Sequence, residues 1–174
     1  MEDEVDRIVS AWRRERPDLD PEPMHLFSRV SRLARHLELA RRAAFAARGL
    51  EPWSFDVLSA LRRAGAPYEL TPGTLMAQTL VSSGTMTNRI DRLVAAGLVA
   101  RESDTHDRRV VLVRLTPAGI AAVDEAMADL LERESDLLRT LDGFADGDAT
   151  MLTDLLRALL QPFEVGQPPS RPQP

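Results

Sequence analysis

Residues 70–116 read LTPGTLMAQTLVSSGTMTNRIDRLVAAGLVARESDTHDRRVVLVRLT, and this stretch decides the fold. Thr71 followed by Pro72 is typical of a helix start, where a side chain caps the helix and proline takes the first helical position. A second helix is predicted from about Ser82, and Gly97 is the residue type expected just after its end. The sequence therefore predicts two helices joined by a short turn.

The second of these helices has an apolar side and a polar side. Its apolar residues recur at spacings of three and four, which predicts that they face a core: Met86, Ile90, Leu93 and Val94. The other side carries short donors and one arginine, the residue types that contact base edges and phosphates in a DNA major groove. These candidate DNA contacts are Ser82, Ser83, Thr85, Thr87, Asn88 and Arg89.

A two-stranded hairpin is predicted after the second helix. Apolar and β-branched residues dominate 98–101 and 110–115, and eight polar residues separate the two runs. A helix, a turn, a helix and a hairpin in this order make a winged helix-turn-helix, and its usual partner is duplex DNA. The hairpin loop adds three candidate contacts, Asp107, Arg108 and Arg109. The predicted fold class is mainly α with a small β-hairpin wing, and residues 68–69 are expected in a loop.

Charge is distributed unevenly along the chain. The 174 residues carry a formal net charge of −5, but residues 82–114 hold six arginines and four acidic residues, a local charge of +2. Such a patch predicts DNA affinity that falls with salt. No apolar run is long enough to span a membrane, and the acidic N-terminus does not resemble a signal peptide. We therefore expect a cytoplasmic, nucleoid-associated protein.

Residues that would carry catalysis or bind a metal are not grouped in this sequence. There is no nucleophile–base–acid set and no glycine-rich phosphate loop. The histidines, at 25, 36 and 106, lack metal-ligand spacing, and there is no cysteine. The prediction is a protein that is not an enzyme and that holds neither a metal nor a cofactor.

Long apolar helices are predicted on both sides of the DNA-binding segment. The expected organisation is an extra N-terminal helix at 1–16, a linker and first dimerisation helix at 17–48, a DNA-binding lobe at 49–115, C-terminal dimerisation helices at 116–162 and a disordered proline-rich tail at 163–174. A twofold dimer formed through the N- and C-terminal helices would cover their apolar faces. It would also place two recognition helices about 34 Å apart over a palindrome. Alternatively, these helices pack within one subunit.

Several short motifs occur in a characteristic order. Leu75 and Leu80 precede SSGTMTNRIDRL at 82–93, which is followed by GLVAR at 97–101, DRR at 107–109 and LTPAG at 115–119. Together they resemble the MarR family of bacterial transcription regulators over residues 24–161. The resemblance implies a homodimer that binds a palindromic operator, usually as a repressor. It also implies that Asp107 orients Arg109, which probes the narrow minor groove.

A second, narrower resemblance concerns four residues. The extra N-terminal helix with Trp12, together with Asp56, Arg89 and Arg101, is similar to the urate-responsive branch of this family, the PecS-type regulators. The resemblance implies a small-molecule effector, urate or a related purine catabolite.

The chemistry of these residues suits a flat anion. Trp12 offers a stacking surface, and the guanidinium of Arg101 can bind an anion with two hydrogen bonds. Asp56 lies among apolar residues, and a partly buried carboxylate needs a partner. We hypothesise an Asp56–Arg101 ion pair in the DNA-binding state. An anionic ligand that takes Arg101 would break this pair and move the helix that carries Arg89.

Other interpretations of these residues and of the function remain open. Trp12 could instead be a packing residue in a dimer interface. Asp56 could simply be an acidic residue near the start of a helix, where the helix dipole favours negative charge. Arg101 could contact a phosphate, and Arg89 could act on DNA alone. The alternative functions are a MarR-type repressor that responds to phenolic or aromatic compounds in a generic cleft, and a winged-helix protein-interaction module. Peroxide sensing is excluded because that chemistry needs cysteine.

Overall fold

The computed structural model describes residues 2–103, 110–141, 143 and 147–164. The predicted wing contacts Asp107, Arg108 and Arg109 lie outside the described residues, as does most of the predicted tail. The chain divides into two compact units, residues 1–130 and 131–174.

The described residues contain seven α-helices and three strands. The helices are α1 (Glu4–Glu15), α2 (Glu22–Ala46), α3 (Pro52–Arg63), α4 (Pro72–Thr79), α5 (Ser83–Ala95), α6 (Pro117–Leu138) and α7 (Asp148–Glu164), with a short 3-10 helix (Arg139–Leu141) after α6. The strands are β1 (Glu69–Leu70), β2 (Val99–Ser103) and β3 (Val111–Leu115). The prediction of a mainly α fold with a small β element is confirmed. The described ranges contain no helix long and apolar enough to cross a membrane.

The predicted helix starts are capped as the sequence indicates. The Thr71 hydroxyl accepts a hydrogen bond from the backbone N–H of Thr74 at 3.2 Å, and the Ser82 hydroxyl accepts one from Thr85 at 3.4 Å. Each cap satisfies an N–H group that has no partner inside its helix. The two caps fix α4 and α5 as separate helices joined by a tight turn.

The sheet has one strand more than predicted. β1 pairs antiparallel with β3 in the register Glu69↔Arg114, and the strand order is β1-β3-β2. The expectation of a loop at Tyr68 and Glu69 is therefore wrong for Glu69. A two-residue strand is too short to show the alternation of polar and apolar residues that predicts strands.

The core of the first unit lies between α3, α4, α5, α6 and the sheet. Phe45 stacks on Phe55 with ring centroids 4.0 Å apart, and Met86, Ile90 and Leu93 of α5 are buried. Val94, also predicted to face inward, is 40% exposed. At 100° per residue it lies about 80° around the helix from Met86, so the core does not reach it.

Close packing at Gly119 joins α6 to the strand pair. A Cβ at this position would lie 2.0 Å from the backbone oxygen of Leu98. The Thr116 hydroxyl donates to the Gly97 carbonyl at 2.7 Å and accepts from the Gly119 N–H at 3.0 Å. The start of α6 is thereby fixed against the end of α5 and the start of β2.

α1 is held on α2 by buried valines and one arginine. Val5 and Val9 are buried. The Arg29 guanidinium on α2 donates to both carboxylate oxygens of Asp3 at 2.8 and 2.9 Å, and to Asp6 at 2.8 Å. The extra N-terminal helix is therefore packed against α2 rather than free.

The second unit exposes much of its apolar surface. Helical periodicity predicts that Leu131, Leu137 and Leu138 face inward, yet all three are exposed. α7 also exposes apolar side chains along its length: Met151, Leu152, Leu155, Leu159, Leu160 and Phe163. This helix extends to Glu164, so the predicted tail start at residue 163 falls inside it.

Candidate nucleic-acid interface and ligand cleft

The polar side of α5 is presented to solvent. Met86, Ile90 and Leu93 anchor the opposite side in the core. The predicted DNA contacts are exposed, except Arg89, which is half-buried: Ser82, Ser83, Thr85, Thr87 and Asn88. The arrangement leaves short donors and one cation on a helix that a major groove can accommodate.

The indole of Trp53, on α3, lies beside this helix. The Arg92 guanidinium carbon is 4.6 Å from the ring centroid, and that of Arg89 is 5.7 Å away. Glu51 accepts hydrogen bonds from Trp53 Nε1 and, at 2.6 Å, from Arg92 Nη2. These hydrogen bonds hold the pKa of the Glu51 carboxyl below its usual range. Neither Glu51 nor Trp53 was among the predicted site residues.

A cleft of about 440 Å³ opens in front of Asp56 in the first unit. Arg41 of α2 and Arg63 of α3 line it together with Asp56, and Phe55 and Leu130 contribute apolar surface. Two cations beside an apolar wall suit a flat anionic ligand, because the guanidiniums bind the charge and the wall binds the ring.

Asp56 is exposed at this cleft, but the packed protein beside it alters its ionisation. Desolvation raises the pKa of Asp56 above its ordinary value, and the charges of Arg41, Arg89 and Arg63 oppose that shift. Within the described ranges no cation lies within ion-pair distance of its carboxylate. Arg89 of the recognition helix is thus linked to the cleft by an electrostatic effect on Asp56.

The hypothesised Asp56–Arg101 ion pair is not formed. Arg101 of β2 pairs instead with Asp91 of α5, with 2.6 Å between Arg101 Nη1 and Asp91 Oδ1. This ion pair links the wing strand to the polar side of the recognition helix. The sequence hypothesis failed because it had no means of telling which acid lies opposite β2.

Trp12 lies in a different groove. It is 47% exposed, and with the linker residues Leu19 and Pro21 and with Met24 it lines a space of about 330 Å³. The structure therefore does not bring the four predicted ligand residues into one cavity. Of the four, Arg89 is the one whose charge lowers the pKa of Asp56.

Arg41 and Arg63 are the cleft residues that sequence reasoning missed. Both belong to arginine-rich helix surfaces, where most arginines are solvated, and nothing in their spacing distinguishes them. Their role in the cleft depends on how α2 and α3 pack, which periodicity alone does not specify.

A helix-turn-helix with an exposed recognition helix, followed by a wing strand pair, defines a DNA-binding transcription regulator. The model of the MarR family matches residues 48–110. The chain is 37% identical to the HTH-type transcriptional regulator PecS of Dickeya dadantii over 153 residues, 88% of this chain and 90% of that protein. It belongs to the MarR family and is of the PecS type.

Solved structures support the same assignment. A mutant MarR from Escherichia coli, complexed with operator DNA, matches 80% of this chain and 96% of its own with a TM-score of 0.61 and 26% identity. BpsR of Bordetella bronchiseptica, whose DNA binding is regulated by 6-hydroxynicotinic acid, matches 75% of this chain and 98% of its own with a TM-score of 0.52 and 31% identity. Members of the family are ligand-responsive DNA-binding regulators and not enzymes, as the sequence predicts.

Proposed function

We propose that this protein is a homodimeric repressor that acts in the cytoplasm, binds a palindromic operator, and is released by an anionic aromatic ligand, urate or a related purine. The observation that carries the proposal is the cleft at Asp56, because the charge of Arg89 on the recognition helix acts on this carboxylate. The resemblance to PecS-type regulators supports urate as the first effector to test.

The DNA-bound state uses α5 in the major groove. The exposed side chains of Thr85, Thr87 and Asn88 face base edges, and Arg89 binds a phosphate or a base. The wing loop, with Asp107 and Arg109, reaches the adjacent minor groove. Two such modules on one duplex bind a palindrome because the dimer is twofold symmetric.

Release begins when the ligand enters the Asp56 cleft. Its negative charge pairs with Arg41 and Arg63, the two cations that line the cleft. Asp56 is then exposed to a like charge, which adds to the desolvation that already disfavours its charged form. The ligand's charge also changes the field at Arg89 and favours a different placement of α5.

The apolar surface of the second unit supports the dimer. Leu152, Leu155, Leu159 and Phe163 are exposed on α7. A contiguous exposed apolar surface of this kind is typical of an interaction site. A second copy of the same helix covers it in a symmetric dimer.

The experiment is an effector titration. Labelled DNA from beside the protein's own gene is bound to saturation, and urate, xanthine and salicylate are added while anisotropy is followed. We expect urate to reduce operator affinity by 5- to 150-fold, about the range of typical allosteric coupling. An operator affinity that no concentration of urate changes contradicts the urate proposal.

Release by aromatic acids that bind in a generic cleft, independently of Asp56, is the second candidate. The regulation of BpsR by 6-hydroxynicotinic acid favours it, since that ligand is also a flat heterocycle. Release by salicylate that survives both Trp12→Ala and Asp56→Asn would favour this generic cleft over a urate site. Partner binding that does not fall with salt would favour a protein-interaction module instead.

A further inference from the structure

The start of α3 carries two side chains that the proposed function leaves unused, Glu51 and Trp53. Glu51 is the N-cap of α3. Its backbone N–H donates to the Ser54 hydroxyl at 2.9 Å, while its carboxylate accepts from Trp53 Nε1 and Arg92. The carboxylate is thus committed to linking α3 with α5.

The indole face gathers two cations of the recognition helix. Both guanidinium carbons, of Arg92 at 4.6 Å and Arg89 at 5.7 Å, lie within the range of about 6 Å at which a ring attracts a cation. Glu51 forms an ion pair with Arg92, whereas Arg89 has no ion pair among the residues that the structure describes. Two cations and one carboxylate leave a local excess of positive charge.

A groove of about 390 Å³ lies beside this ring, with Trp53 on one side and α5 on the other. Asn88, Arg89 and Arg92 line it with hydrogen-bond donors. Gly84 forms part of the wall, and a Cβ there would meet nothing within 4 Å. The fold therefore has room for a side chain at this position, and most other residues would favour the helix more than glycine does. The missing side chain leaves space in the groove for the backbone of a bound partner.

We propose that Glu51 and Trp53 are positioning residues for DNA binding. They hold the guanidiniums of Arg89 and Arg92 at the rim of this groove, where they bind backbone phosphates of duplex DNA. The chemistry fits a phosphodiester, because the groove is lined by cations and hydrogen-bond donors and no carboxylate is among its lining residues. This inference rests on the proposed insertion of α5 into the major groove.

The test is operator binding over a series of salt concentrations. Trp53→Leu keeps apolar bulk but removes the π face and Nε1, and we expect operator affinity to fall by about 3- to 5-fold, as for loss of an exposed cation–π contact. Trp53→Phe keeps a ring face and should recover part of that loss. Arg92→Gln should reduce the slope of log affinity against log salt by about 1, the effect of one lost phosphate contact.

A double variant separates positioning from a merely structural role. If Trp53 acts through Arg92, Trp53→Leu combined with Arg92→Gln should weaken binding by less than the product of the two single losses. Full additivity, or wild-type affinity of Trp53→Leu, overturns the proposal.

Glu51→Ala is the second variant, in case Trp53→Leu lowers the melting temperature. It leaves the Ser54 contacts of the helix start in place. We expect the ratio of operator affinity to random-duplex affinity to fall about 3-fold or more. Operator binding weakens because Arg92 loses its ion-pair partner, whereas removal of a negative charge near DNA favours binding to any duplex. An unchanged ratio overturns the proposal. Failure of the wild-type protein to bind any duplex would instead overturn the proposed function.

Discussion

At the scale of single residues, Gly119 shows how one missing side chain fixes the geometry of the DNA-binding module. A Cβ there would lie 2.0 Å from the Leu98 carbonyl oxygen, and that backbone is held by Thr116. We expect Gly119→Ala to lower the free energy of unfolding by about 1–3 kcal/mol, the usual range for overpacking. Chemical denaturation measures this change.

Gly84→Ala is the matched control for Gly119→Ala. The added Cβ meets nothing within 4 Å, so unfolding should be unaffected or slightly harder. The same variant should weaken operator binding if the groove beside Trp53 takes a phosphate. Equal stability of the Gly119→Ala and Gly84→Ala variants would contradict the close packing of α6 on Leu98.

Asp56 offers a second residue-scale prediction, because the proposed function gives it a role in ligand release rather than in stability. Its pKa is raised by desolvation, so the charged form is disfavoured in the folded state at neutral pH. Asp56→Asn removes that cost, and the melting temperature at pH 7 should equal or exceed that of the wild type. Operator release by urate should nevertheless be impaired. Arg7→Gln, on the exposed ion pair with Glu4, is the control and should leave release unchanged.

Residue types could be predicted at this scale, but residue partners could not. The sequence indicated that Asp56 is partly buried and needs a partner, but Asp56 is exposed and forms no ion pair among the described residues. It also indicated that the Arg101 guanidinium can bind an anion. Arg101 pairs with Asp91, and the cations near Asp56 are Arg41, Arg63 and Arg89. Which charged residues lie close enough to interact depends on the packing of α2, α3 and β2, a property of the tertiary structure.

At the scale of elements, the docking of α1 on α2 should depend on pH. Hydrogen bonds from the Asp3 N–H and from Arg29 lower the pKa of Asp6 to about 2, and Arg29 also lowers that of Asp3. A lowered pKa in the folded state means that the stabilisation is complete above the ordinary value of 3.8 and is lost as pH falls towards about 2. The protection factors of the α1 amides, which are exchange rates corrected for the intrinsic effect of pH, should therefore fall over that window.

A variant isolates this effect from general acid unfolding. Asp6→Asn should accelerate exchange in α1 at pH 6, while α3 and α5, which pack into the core, keep their protection. Glu4→Gln is the control, since Glu4 pairs with Arg7 of the same helix and not with α2. Uniform acceleration across the chain, or none in α1, would contradict a local clamp by Arg29.

Element types were predictable where local signals were strong. The caps at Thr71 and Ser82 and the apolar spacing of α5 fixed the helix-turn-helix from sequence. β1 was missed because two residues carry no periodicity, and Val94 was misplaced because a periodic pattern does not show where the core ends.

At the scale of the whole molecule, the exposed face of α7 makes a prediction about assembly. Leu155 is 58% exposed, so a charge there should cost a single chain little. If α7 lies in a dimer interface, Leu155→Glu should lower the mass measured by light scattering from about twice the chain mass of 19.3 kDa towards 19.3 kDa. Thr150→Glu, also exposed on α7, should leave the dimer intact.

If the protein binds a palindrome as the proposed dimer, the same assembly determines operator affinity, because only a dimer can occupy both half-sites. Leu155→Glu should therefore also weaken operator binding. A wild-type protein that is monomeric at micromolar concentration would show that these apolar helices have another partner.

The most direct measurement is fluorescence anisotropy of a labelled duplex from beside the protein's own gene, titrated with the wild-type protein at several salt concentrations. We predict saturable binding at low salt, tighter than to a random duplex of equal length, with log affinity falling by about 0.9 per log salt for each phosphate neutralised. An anisotropy that does not rise at about 50 mM salt, or an affinity equal to that for the random duplex, would contradict sequence-specific binding through α5.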